Sequence, residues 1–171
     1  ADGLNRLINC NGSSSMAVFT AAIENADTIL RDEGIAAHYM ATRLNHGIER
    51  TDLVGASAPN GVFMTEEMLN SVDEYLDYVN SRSPERYFSE MEFNTSHQNG
   101  EHYRVNGRAD NITHTADNIL FIDDFKHGYH IVEPDMNWTL ISHAIGYCVS
   151  RPGQVLPDEF VFSIIQPRAP S

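Results

Sequence analysis

The sequence predicts an α/β (α+β) domain with a mixed sheet flanked by helices. Apolar residues recur at helical spacing through about residue 82, and the pattern turns extended from Tyr87 onward. A helical stretch, Asn137 to Ser150, then separates the third extended run from a last one, Glu159 to Gln166. The order is helices, three strands, a helix and a strand. Nothing in the composition divides the 171 residues, so one domain is expected over 1–171, mainly helical at 1–82 and a sheet core with one helix at 83–171.

Residues 1–26 mix short apolar stretches with Asn11, Gly12 and Ser13 to Ser15, which reads as a short helix and a loop. From Asp27 to Asn45, Ile29, Leu30, Ile35, Ala36, Ala37, Tyr39, Met40 and Leu44 repeat at helical spacing, with Gly34 a weak point and Gly47 a stop. Gly55, Pro59 and Gly61 make 51–61 a loop. Thr65 is an N-cap candidate followed by Glu66 and Glu67, and Met68, Leu69, Val72, Tyr75, Leu76 and Val79 form an apolar stripe, so 65–82 is the clearest helix. Tyr87 to Thr95 is extended, Gln98-Asn99-Gly100 signals a hairpin, and His102 to His114 continues extended with Gly107 as a bulge candidate. After a turn at Ala116-Asp117-Asn118, the run Ile119 to Ile122 is a buried strand ending in Asp123-Asp124-Phe125-Lys126, which completes an antiparallel meander. Gly128 to Asp135 reads as a loop or short strand. The next helix places Trp138, Ile141, Ile145 and Cys148 on one face.

Charge bounds the partners. The chain carries 11 Lys and Arg against 24 Asp and Glu, a formal charge of −13. Proteins that coat nucleic acid or bind membranes through surplus cations are excluded, whereas an enzyme that meets an anion through metal ions is not. Cys10 and Cys148, at opposite ends, form neither a disulfide scaffold nor a zinc motif, so an intracellular, cytoplasmic setting is expected. No apolar run approaches a bilayer span and no signal-peptide pattern opens the chain. Ala1 is not Met, which leaves room for a removed leader.

The chemistry concentrates in Gly107-Arg108-Ala109-Asp110 and, after a hairpin, Asp124-Phe125-Lys126. Residues two apart in a strand share a face, so Asp124 and Lys126 project together and the hairpin brings Asp110 beside them. Carboxylates packed together repel unless a cation joins them, which invites a hard divalent ion such as Mg²⁺ or Mn²⁺. The lysine is suited to hold an attacking water or a developing negative charge. Alone, a D-x-K tripeptide is usually a surface ion pair. Asp123 is the competing acid, since a one-residue shift flips strand faces.

These residues, in the order helix, three strands, helix and strand, resemble the PD-(D/E)XK nuclease superfamily, whose restriction-endonuclease-like core is αβββαβ. The resemblance extends to the RecB-like exonuclease branch and its phage and prophage proteins. It covers nearly the whole chain through Cys10-Asn11-Gly12-Ser13, the helix segment Glu33-Gly34-Ile35-Ala36-Ala37-His38, and Ile164-Ile165-Gln166-Pro167-Arg168 at the end of the last strand. It implies Asp110 and Asp124 as the acidic metal-binding pair, Lys126 as the catalytic lysine and His38 as a further ligand. It also implies a first-strand acid, for which Glu90 is the better match and Glu92 the second. Glu33, five positions before His38, is a secondary candidate. The branch's N-x-Q-L-x-x-Y-A helix is altered: Asn137-Trp138-Thr139-Leu140-Ile141-Ser142-His143-Ala144 has Thr139 for the glutamine and His143 for the tyrosine.

The resemblance thus implies a metal-dependent DNA nuclease, an exonuclease of phage or prophage DNA processing, recombination or repair, bacterial or phage-encoded. Asp110, Asp124, the Phe125 carbonyl, His38 and Glu90 would hold one or two Mg²⁺ or Mn²⁺ ions, with Lys126 orienting the nucleophile. The competing readings are a catalytically silent nuclease-fold module binding nucleic acid or protein, and a metal-dependent phosphohydrolase of small phosphate esters. The acids beyond those a metal site needs point to weak DNA affinity, a basic partner protein, a homo-oligomer or a high-salt setting. Of the eight histidines, His114, His127 and His130 read as neighbours of the site rather than ligands, Arg108 as a DNA contact or an acid's partner, and Met64, Met68 and Trp138 as core.

Overall fold

Helix spacing and capping decide the first half of the chain. The computed structural model describes residues 27–82, 84–94, 106–151 and 153–170. The expected N-terminal helix and loop, Cys10-Asn11-Gly12-Ser13 and the turn at Gln98-Asn99-Gly100 lie outside them. Helix α1, Asp27–Asn45, runs unbroken through Gly34 and buries Ala36, Ala37 and Met40 completely. It stops before Gly47, whose φ of +78° suits a glycine. The stretch expected as a loop contains a one-turn helix α2, Arg50–Leu53, and a tight turn closed by the Ser57 and Phe63 bridge. Helix α3, Glu66–Asn80, starts where expected, with the Thr65 hydroxyl accepting from Met68 N at 3.2 Å, and its predicted stripe from Met68 to Val79 is buried.

Strands β1 (Pro84–Asn94), β2 (Asn106–Thr115) and β3 (Ile119–Phe125) form the antiparallel meander, and helix α4 (Trp138–Val149) leads to β4 (Glu159–Ile165), which pairs with β3 in parallel. The sheet is mixed, in the order β1-β2-β3-β4, and the α/β class holds. Two cores result. One joins α1, α3 and Phe125, and the other joins α4 to Phe93, Ile112, Leu120 and Ile122 of the sheet.

One expectation is corrected here. Gly107 is no bulge, because it pairs in register with Phe93, whose ring atom Cζ would stand 2.7 Å from an added Cβ; glycine is there for close approach. The buried stripe of α4 is Leu140, Ala144 and Tyr147 with His143. Ile141, Ile145 and Cys148 share a face as expected, and that face, with Ile145 48% exposed, lines a groove against Phe160 and Phe162 of β4. A helix apolar on most sides leaves spacing alone unable to choose its buried face. Gly128 to Asp135 form a loop and no strand. Gln166 holds them, donating to His130 O at 2.8 Å and accepting from Val132 N at 2.7 Å. No helix among the described residues is long and apolar enough to cross a membrane.

Candidate metal centre

The alternation of β1 and β2 breaks at one place, and the site is built there. Ser89 pairs with Asn111 and Met91 with Ala109, but Glu90 and Asp110 between them do not pair, and Glu90 has a φ of +52°. A non-glycine residue in that region is strained and needs its surroundings to hold it. Phe88, Met91 and Phe93 all pack toward the α4-side core, as do Ile112 and Ala109, so both strands exchange faces across this pair. Of the two acids expected on the first strand, Glu90 lines the cavity, and Glu92, the cross-strand neighbour of Arg108, is exposed and does not.

From α1, His38 Nδ1 reaches within 3.5 Å of Asp110 Oδ1. Asp110 Oδ2 accepts from Phe125 N at 2.8 Å, so Phe125 serves the site through its amide while its ring stacks on Tyr75 at 4.8 Å. Burial pushes the Asp110 carboxyl up to about 6, against the opposing pull of His38 and with help from Asp124. Thr42, one turn beyond His38, donates to the His38 carbonyl at 2.9 Å and to Glu90 Oε1 at 3.4 Å. The other Glu90 oxygen, Oε2, is buried without a hydrogen bond, although Arg108 Nε stands 2.8 Å away as an ion pair. One ligand atom each from His38, Glu90 and Asp110 lies within 4.8 Å of the other two.

Asp124, 6% exposed, is engaged by Lys126 Nζ at 2.6 Å and is not part of that group of three. Both line the same cavity of about 650 Å³, open between α1 and α4, with Arg108, Thr139 and His143 also on its walls. His143 is 6% exposed, its Nδ1 has no hydrogen-bond partner, and burial pushes its imidazole pKa down. The remaining candidates lie elsewhere. Asp123 sits on the opposite face of β3, fully buried, paired with Arg82 and accepting from Asn111 Nδ2 at 2.8 Å. Glu33 is drawn away by Arg168 Nη1 at 3.2 Å.

The family described as "Protein of unknown function (DUF2800)" matches residues 1–171. The chain belongs to that family. No curated protein and no solved structure matches it. Within this DUF2800 chain, Thr42 went unnoticed in the sequence, although its place four residues after His38 marks it as a neighbour on the same helical stripe. Arg108 takes one of its two expected roles, as partner of an acid. What the geometry offers chemically is a group of three side chains that could hold a metal ion, next to a lysine-carboxylate pair in an open cavity.

Proposed function

We propose that this chain is a metal-dependent nuclease that hydrolyses phosphodiester bonds of DNA. The observation that carries the reading is the convergence of His38, Glu90 and Asp110 beside the Lys126 and Asp124 pair in one cavity. The order of the described elements, helix, three strands, helix and strand, agrees with the αβββαβ core of the PD-(D/E)XK nucleases that the sequence resembles.

The donor set fits Mg²⁺ or Mn²⁺. One imidazole nitrogen and two carboxylates suit a hard or borderline ion. Glu90 Oε2 is a buried acceptor without a hydrogen bond, and Asp110 is a buried carboxyl that ionises reluctantly until a cation joins it. His38, Glu90 and Asp110 would hold the ion, with Asp124 and the Phe125 carbonyl as further ligands. When bound it supplies Lewis acidity, lowering the pKa of a bound water and neutralising phosphate charge.

The chain's own groups do the rest. Phe125 N–H fixes the Asp110 carboxylate, and Thr42 holds Glu90 against the end of the face switch. Lys126, set by Asp124, places a cation where the attacking oxygen and the phosphate meet. Arg108, 60% exposed along its side chain, offers a guanidinium to a neighbouring phosphate. The formal charge of −13 favours a modest affinity for DNA, raised by a basic partner or a further copy of the chain.

Calorimetry with Mn²⁺ and digestion of end-labelled single- and double-stranded DNA test this. Asp124→Asn and Lys126→Ala should abolish cleavage with an unchanged circular dichroism spectrum. Full activity in either variant sinks the reading. Turnover of nucleotides or other small phosphate esters without DNA cleavage would favour the phosphohydrolase, and silence toward both together with no Mn²⁺ site would favour the noncatalytic module.

A further inference from the structure

The walls of the cavity differ in chemistry. On the strand side they are ionic, with Glu90, Asp110, Asp124, Lys126 and Arg108, whereas α1 contributes Ile35 and Tyr39, with Pro59 beside them. Positions 35, 38, 39 and 42 share one helical stripe, so the apolar pair stands alongside His38 and Thr42. Ala36 and Ala37 next to Ile35 are fully buried, yet Ile35 itself keeps 48% of its surface exposed at the cavity. Pro59 is exposed too, and the turn that carries it is pinned. Gly61 N donates to Ala58 O at 2.9 Å, Ala58 N to Val62 O at 2.8 Å, and Asn60 Nδ2 to Asp32 O on α1 at 2.7 Å. Arg43 stands 5.9 Å from the centroid of the half-buried Tyr39 ring and adds positive charge nearby. Apolar groups are thus fixed at the mouth of a polar site instead of being taken into the core, the signature of a contact surface.

A phosphate group and a metal ion fill only part of about 650 Å³, a size found in pockets that enclose whole organic ligands. The rest of the space is bounded by an aliphatic and aromatic wall, which offers nothing to a phosphate and suits the flat face of a nucleobase. We propose that Ile35, Tyr39 and Pro59 form a base-binding wall, so that the cavity accepts an unpaired nucleotide of a DNA strand, its phosphodiester at the acidic group and its base against α1. The inference rests on the nuclease reading and adds to it the state of the strand. In a duplex the base faces are covered by stacked neighbours, so the wall selects against paired DNA.

Fluorescence anisotropy on the full chain, with Ca²⁺ replacing Mn²⁺ to slow hydrolysis, tests it with three probes of about eight nucleotides. These are an oligothymidylate, an abasic deoxyribose-phosphate strand and a blunt duplex. The oligothymidylate should bind at least ~10-fold more tightly than the other two. Ile35→Ser and Tyr39→Ala should each erode that preference while leaving abasic-strand binding and Mn²⁺ affinity unchanged. Should Tyr39→Ala unfold, Ile35→Ser at its exposed position decides alone. Equal binding of the thymidylate and abasic strands, or a preference that survives Ile35→Ser, overturns the wall. If DNA is still cleaved with Mn²⁺ in that case, the nuclease reading stands without it. Absence of binding to all three probes overturns both.

Discussion

Asp123 and Asp124 are neighbours on β3 that face opposite ways: Asp124 meets Lys126 at 2.6 Å in the cavity, and Asp123 is sealed on the other face against Arg82. Strand alternation separates them. Arg82 is itself largely buried, its guanidinium 4.8 Å from the Tyr78 ring centroid and 4.1 Å from that of Phe121, so it depends on Asp123 for charge balance. One acid therefore belongs to the buried core and the other lines the cavity.

Removing Asp123 should cost the fold. Asp123→Ala strands a buried guanidinium and removes one of the two acceptors of Asn111 Nδ2, and loss of one partner of a buried pair typically costs about 3–5 kcal/mol. Urea unfolding should show this as a lower midpoint. Asp124→Asn, at the cavity, should shift that midpoint far less while cleavage disappears. Equal destabilisation by the two substitutions would contradict the division of roles.

How much of this was legible depends on which residues are asked. Helix α3 could be read from Thr65, the two glutamates after it and the stripe from Met68 to Val79, because capping, dipole and periodicity agree. The spacing of Asp124 and Lys126 likewise identified the correct face of β3, since a regular strand alternates faithfully. The backbone was not legible where it leaves its regular path: Glu90, the better match for the first-strand acid, does line the cavity, but its φ of +52° is a conformation no sequence rule expects of glutamate. The ion pair of Glu33 was hidden for a different reason. Its partner Arg168 lies 135 residues away, and no local pattern announces a contact made only by the fold.

Protonation of Asp110 and of His127 should act on stability with opposite signs. A carboxyl raised from 3.8 to about 6 on folding stabilises the metal-free fold fully below pH 3.8, and that contribution is lost as pH rises through 6. His127 is 3% exposed, and burial, assisted by Arg168, pushes its imidazole down from 6.5 to about 4. Its contribution is present above pH 6.5 and lost as pH falls toward 4. Each effect is on the order of 3 kcal/mol, so they offset one another across the shared window. Denaturant midpoints of the metal-free chain between pH 4 and 7 should therefore vary little. Asp110→Asn should unmask a steep loss on acidification, and His127→Gln a gain. Parallel pH profiles for the two variants would rule out this balance.

Metal ions should reverse the first of these effects. Above pH 6 the metal-free chain carries an ionised, buried Asp110, and a cation shared with His38 and Glu90 removes that burden. Mn²⁺ should raise the thermal midpoint at pH 7.5 by several degrees and by clearly less at pH 5, where protons compete with the ion for the Asp110 carboxylate. Glu90→Gln should weaken Mn²⁺ binding at least ~10-fold in calorimetry, since carboxamides are poorer ligands for hard cations. A thermal shift of equal size in wild type and Glu90→Gln would remove Glu90 from the site.

Gly146 on α4 gives the packing beneath the cavity its most sensitive point. A Cβ added there would lie 2.2 Å from Phe93 Cδ2 and 2.6 Å from Phe93 Cγ, too near the ring's attachment for rotation alone to relieve. Phe93 also meets the His143 ring edge-on at 5.6 Å, so the displacement reaches a cavity wall. In a helix interior, Gly→Ala normally stabilises by roughly 0.5–1 kcal/mol. Here overpacking, at about 1–3 kcal/mol, should outweigh that gain and lower the urea midpoint. Gly107→Ala should cost less, because it strikes Phe93 Cζ, the far end of the ring, at 2.7 Å. Phe93→Leu introduced with Gly146→Ala should recover part of the loss, as the smaller side chain vacates the contested space. If Gly146→Ala alone raises the midpoint, Phe93 does not pack against this glycine in solution.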